Sequence, residues 1–67
     1  MIRCHLSRLM GEKKLKIVDV ARDTGINRGT ITRLYQETAL RVDFEVLDTL
    51  CDYFDCPIDR LLEKTKD

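Results

Sequence analysis

Little in this chain can break or cross-link a fold. One proline and three glycines in 67 residues do not describe a disordered or low-complexity protein. The cysteines, Cys4, Cys51 and Cys56, are odd in number and include no Cys-x-x-Cys pair. A disulfide framework is therefore not expected, and the thiols read as buried structural groups in a reducing compartment. The lone histidine, His5, has no metal-ligand spacing to a cysteine, so no metal or other cofactor is expected. No apolar run approaches the ~20 residues of a membrane span. Charges interrupt any apolar core in "MIRCHLSRLMGEKK", so a signal peptide is not expected either. These absences place the protein in the cytoplasm, with no membrane or small-molecule partner. Net charge is missing too, since 12 Lys/Arg balance 12 Asp/Glu.

What is present is 43% hydrophobic and 36% charged residues, the composition of a small helical globule. A chain this short buries only about 60% of its unfolded surface, and association with a second copy is a common supplement to so small a core. The zero net charge hides a polarity. Residues 1–41 carry nine Lys/Arg and four Asp/Glu, a balance of +5, and residues 42–67 carry three and eight, a balance of −5. The N-terminal part can face a polyanion while the C-terminal part faces away.

Apolar residues recur at helical intervals. Ile2, Leu6, Leu9 and Met10 predict an amphipathic helix over 2–12, with Gly11 and "EKKLK" ending it. Ile17, Val20, Ala21 and Thr24 form a second stripe, closed by Gly25. Asn27 suits the cap of a third helix, whose inner stripe is Ile31, Leu34 and Tyr35. Residues 37–42 read as a loop. Asp43 suits the cap of a fourth helix with Phe44, Leu47, Leu50, Cys51 and Phe54 inward. Pro57 suits the first turn of a last short helix carrying Ile58, Leu61 and Leu62. No segment alternates as a half-buried strand does. The expected fold is all-α: one domain over 1–67, with five short helices around one core.

The second and third helices have a restrictive spacing. Ala21 lies where they cross, and a larger side chain there would push the axes apart. Gly25 supplies the positive φ of a tight turn between helices at a steep angle. Ile26, Ile31 and Leu34 fill the wedge. These restricted positions agree at set offsets, which is the pattern of a helix-turn-helix.

On "IVDVARDTGINRGTITRLYQE", continued by "VDFEVLDTLCDYFDCPIDRLL", the chain resembles the Cro/C1 (Xre-type) family of bacterial and phage regulators in a compact, lambda-repressor-like form. The resemblance implies a sequence-specific DNA-binding transcriptional regulator, a repressor acting as a homodimer on a palindromic operator. It also implies a third helix lying in the major groove of double-stranded DNA. The outer face of that helix here carries Asn27, Arg28, Gly29, Thr32, Arg33 and Gln36. Arg28 and Arg33 suit direct readout, because a guanidinium can bridge guanine O6 and N7. Thr32 suits a thymine methyl or a phosphate. By resemblance, Lys16, Asn27, Thr30 and Arg41 contact the DNA backbone or cap the helix. Tyr53, Ile58, Leu61 and Leu62 are the candidate dimer surface.

Three features depart from the family's pattern. Gly29 replaces a long polar side chain, which suggests close approach to DNA or a tolerant site. Lys16 and Val18 stand where a polar cap and glutamine are usual. Asp19 and Asp23 lie near the expected DNA side, where they would weaken binding. A second reading is a protein-interaction module, antitoxin-like or an anti-regulator, using the acidic C-terminal half. An enzyme is not expected: His5 and Cys4 are adjacent but not facing, and no third catalytic group is evident.

Overall fold

In the computed structural model, which describes residues 1–66, the chain runs β1 (Ile2–Cys4), α1 (Leu6–Glu12), α2 (Ile17–Thr24), α3 (Arg28–Tyr35), α4 (Phe44–Phe54), α5 (Ile58–Leu61) and β2 (Leu62–Lys64). Every helix sends at least one large side chain to the same place. Leu6, Met10, Val20, Ile31, Leu50 and Leu61 are all but inaccessible to solvent, and Cys4, Leu9, Leu34 and Phe54 complete the cluster. Among the described residues no polar or charged side chain is buried with them. The core is therefore held by apolar burial, at about 1.5–3 kcal/mol for each large side chain removed from water.

The five helices occur in the expected order, and two short strands are added to them. β1 and β2 pair antiparallel, with Ile2 opposite Lys64, Arg3 opposite Glu63 and Cys4 opposite Leu62. The ladder runs on at both ends, where the His5 amide donates to Leu61 O at 2.7 Å and the Thr65 amide to Met1 O at 2.8 Å. The first helix thus begins at Leu6 rather than residue 2, and Leu62 belongs to a strand rather than to the last helix. Three-residue strands are too short to show a period, and the partner of β1 lies at the other end of the sequence.

Four predicted core positions also move outward. Ile2, Tyr35, Phe44 and Ile58 are exposed, Phe44 to 88%. They sit at the first or last turns of their elements, where a stripe that is apolar by period has run past the neighbour it would pack on. The expected dimer surface shrinks with them: Leu61 is buried, and Tyr53 and Leu62 are half-buried, which leaves only Ile58 exposed.

All four longer helices end through a left-handed residue, and only one of these is glycine. Gly25 (φ 75°) closes α2, while Lys14 (φ 56°), Glu37 (φ 60°) and Asp55 (φ 50°) follow α1, α3 and α4. The amide one residue further on then reaches back to a carbonyl of the last turn: Leu15 to Met10 at 2.9 Å, Thr38 to Arg33 at 2.9 Å, and Cys56 to Cys51 at 3.0 Å. A side chain in this conformation costs about 1 kcal/mol or more. Gly11, expected to end α1, lies within it.

At Glu37 that strain is met by a specific contact. Its Oε1 accepts from Arg3 Nε at 2.7 Å and from the Cys4 amide at 3.0 Å, and its Oε2 accepts from Arg3 Nη2 at 3.0 Å. The residue after α3 thereby clasps β1. The Arg3 guanidinium first, and then the Cys4 amide, hold the Glu37 carboxyl at about 2, against an ordinary 4.5. A depressed carboxyl stabilises the fold fully above its unfolded value and loses that effect as pH falls toward its folded value. Stability to denaturant is therefore expected to decline from about pH 4.5 toward pH 2. In Glu37→Gln this part of the decline should flatten, leaving what other carboxylates such as Asp23 contribute. An unchanged acid limb in the variant would show that the clasp is not formed in solution.

Candidate nucleic-acid interface

The corner between α2 and α3 is tied locally before it is packed. Gly25 donates its amide to Ala21 O at 2.9 Å, and Thr24 Oγ1 donates to Val20 O at 2.6 Å while accepting from the Ile26 amide at 3.2 Å. The φ of 75° at Gly25 meets the expectation for that position. Asn27 then caps α3, its Oδ1 accepting from the Gly29 amide at 2.7 Å. Ile31 and Leu34 are buried, so the rotation of α3 is set and its opposite side faces solvent.

On that side Arg28, Arg33 and Gln36 are exposed, Gly29, Thr30 and Thr32 are half-buried, and Asn27 is exposed at the helix entrance. Arg33 folds back along the helix, with Nη2 3.4 Å from Thr30 Oγ1. Thr30, Arg33 and Arg41 line one hollow between α3 and the loop before α4, together with Asp43. Lys16 and Arg28 line another, with Ile17, Val18 and Tyr35. The cations expected at the site thus flank α3 on both sides. Tyr35 is an addition: its i, i+4 spacing from Ile31 suggested an inward residue, but it is 43% exposed and lines the hollow with Lys16 and Arg28.

Gly29 is neither open space nor an indifferent position. A Cβ there would stand 2.9 Å from Asn27 Oδ1 and 3.3 Å from Arg33 Nη1. The absent side chain makes room for the capping oxygen and for the arginine that overlies the first turn. Lys16, for its part, cannot cap α2, because an ammonium has no acceptor. Asp19 does so in reverse, its Oδ2 accepting from the Lys16 amide at 2.9 Å.

Asp19, Asp23 and Glu37 are already engaged, whereas Asp43, in the hollow with Arg33 and Arg41, forms no ion pair among the described residues. Asp19 lies 3.3 Å from Arg22 Nη2, and Asp23 accepts from Arg22 Nε at 3.2 Å and from the Tyr53 hydroxyl at 2.6 Å. The Tyr53 hydrogen bond, followed by that of Arg22, holds the Asp23 carboxyl below its usual range. Glu37 is taken by Arg3. Pairing therefore occupies Arg3 and Arg22. Among the described residues no carboxylate forms an ion pair with Lys16, Arg28, Arg33 or Arg41. Among the described residues these four are left free around α3, as Arg8, Lys13, Lys14, Arg60, Lys64 and Lys66 are elsewhere, and the arrangement can hold an extended polyanion across the helix.

The model of the Cro/C1-type HTH DNA-binding domain matches residues 5–67. The chain belongs to that family. It is a Cro/C1-type DNA-binding domain, which makes DNA its partner and α2 and α3 its helix-turn-helix. The fold is similar to a crystal structure described as that of a candidate DNA-binding protein from Bacteroides fragilis, with a TM-score of 0.79 over 94% of this chain and 100% of that one. At 16% identity the likeness speaks for the fold alone. No curated protein matches the chain significantly. Among the described residues no helix of this Cro/C1-type domain is long and apolar enough to cross a membrane, and no three His, Cys, Asp or Glu side chains are grouped to hold a metal.

Gly11 provides a control for Gly29, since a Cβ at Gly11 meets nothing within 4 Å. Gly11→Ala is expected to stabilise the domain by about 0.5–1 kcal/mol through helix propensity. Gly29→Ala should gain little or nothing, because the methyl group displaces a cap worth about 1 kcal/mol. Paired urea titrations check this, and equal gains at the two sites would contradict the packing described.

Proposed function

We propose that this chain acts as one sequence-specific DNA-binding domain, a transcriptional repressor that lays α3 in the major groove of an imperfect palindrome. The observation that carries the reading is the set of unpaired cations around a helix whose inner face is buried. Arg28 and Arg33 read base edges, each bidentate contact being worth about 1–3 kcal/mol of discrimination. Lys16, Asn27, Thr30 and Arg41 hold the phosphates on either side, while Thr32 and Gln36 complete the outer face. Gly29 keeps Arg33 over the first turn, where helices of this kind meet the bases.

Two copies bind with their α3 helices about 34 Å apart on one side of the duplex. The dimer contact falls to the apolar groove lined by Ile2, Leu40, Val42 and Leu62, beside the loop that carries Arg41. Leu40 is 98% exposed there. The second apolar hollow, with Phe44, Leu47 and Ile58, belongs to an α4–α5 surface carrying Asp48, Asp52, Asp55 and Asp59, where two copies would bring like charges together. That surface instead favours a contact with a basic protein, a second role compatible with the first.

Selection of bound duplexes from random sequence tests the proposal. The wild-type chain should enrich a motif with two half-sites. Arg28→Ala and Arg33→Ala should each lose preference at their own positions, by about tenfold or more in affinity. With Lys16 and Arg41 on phosphates, affinity should fall roughly tenfold for each protomer between about 50 and 200 mM salt. A folded wild-type chain that enriches no motif at low salt would refute the proposal.

A further inference from the structure

We infer that Cys51 and Cys56 form one reactive site, a dithiol shaped by the turn that ends α4, which closes into an intramolecular disulfide on reaction with a low-molecular-weight disulfide. Asp55 leaves α4 in the left-handed conformation. The Cys56 amide then donates to Cys51 O at 3.0 Å, and the Asp55 amide to Asp52 O at 3.2 Å. This pair of bonds brings the side chain two residues past the helix against one in its last turn. In α1 the same two positions are Leu15 and Met10, an apolar contact. In α4 both are thiols, and both line the same hollow.

The backbone contact also bounds the geometry. One hydrogen bond and the covalent reach on either side of it keep the two Cα atoms within about 7 Å. Unstrained disulfides span about 4.4–6.8 Å. Both residues are half-buried and line the open hollow with Phe44, Leu47, Pro57 and Ile58, so a small reagent can reach them. Cys4 lies in the core on β1, without a second thiol beside it.

The order of the two steps follows from the surroundings. Burial first, then the Cys56 thiol and the Asp48 and Asp52 carboxylates, push the Cys51 thiol above its ordinary value, which reduces its thiolate fraction. A reduced thiolate fraction suits Cys51 to the second step, with Cys56 opening the reaction. Its thiolate displaces one thiolate from the reagent and forms a mixed disulfide. Cys51, giving its proton to solvent, attacks the Cys56 sulfur and releases the second thiolate. Two protein thiols are oxidised, and one external disulfide is reduced to two thiols.

The test equilibrates the full chain with glutathione disulfide and glutathione near neutral pH, folded and in denaturant, followed by acid quenching and intact-mass and peptide analysis. The folded chain should lose two hydrogens, with the bond mapped between Cys51 and Cys56 and Cys4 left free. Closure should be favoured by at least about tenfold in the folded over the denatured chain. Cys51→Ser should stop at a glutathione adduct on Cys56. Separate glutathione adducts on Cys51 and Cys56 of the folded wild-type chain would overturn the inference, as would closure no more favourable folded than unfolded.

Discussion

The burial of Ile31 and Leu34 in a core without polar groups is the constraint on which the interface rests. With those two side chains locked, α3 has one orientation, and Arg28 and Arg33 leave it toward solvent. An α3 free to roll would trade its cationic face for an apolar one. The neighbouring elements serve the same end. Gly25 lets α2 turn sharply into α3, and Asn27 satisfies the first exposed amide of that helix. Glu37, just past its other end, ties it to β1. The helix is thus held at its entrance, along its inner side and at its exit.

Charge is organised by pairing as much as by number. A protein with no net charge holds a polyanion if its carboxylates are spent elsewhere. Here Asp19, Asp23 and Glu37 face the backbone amides of Lys16 and Cys4, a tyrosine hydroxyl and two arginines, none of which is a cationic side chain of the set around α3. The ion pairs are exposed, and each contributes little to stability. Their effect is to offset the negative charge of Asp19, Asp23 and Glu37 locally.

The fold was legible in the sequence where a position has a narrow chemical requirement. Gly25, Asn27, Ile31 and Leu34 each allow few residue types, and the structure has them in the expected places. The strands were not legible, because three residues carry no period and β1 finds its partner at β2. Nor were the left-handed turns at Lys14, Glu37 and Asp55, where tertiary or backbone contacts override a preference that usually selects glycine. Tyr35 and Phe44 fit the helical period and still face solvent, since periodicity gives a direction on the helix but not the extent of the neighbour. For the interface, the sequence named the cations, but which of them remain unpaired depends on contacts that only the folded chain defines.

The most direct test of this account is an amide chemical-shift titration of the labelled domain with a selected DNA duplex. Shifts should concentrate at Lys16, from Asn27 to Gln36, and at Arg41, while the amides from Asp48 to Arg60 change little. Shifts concentrated on α4 and α5, with those of α3 unmoved, would contradict it.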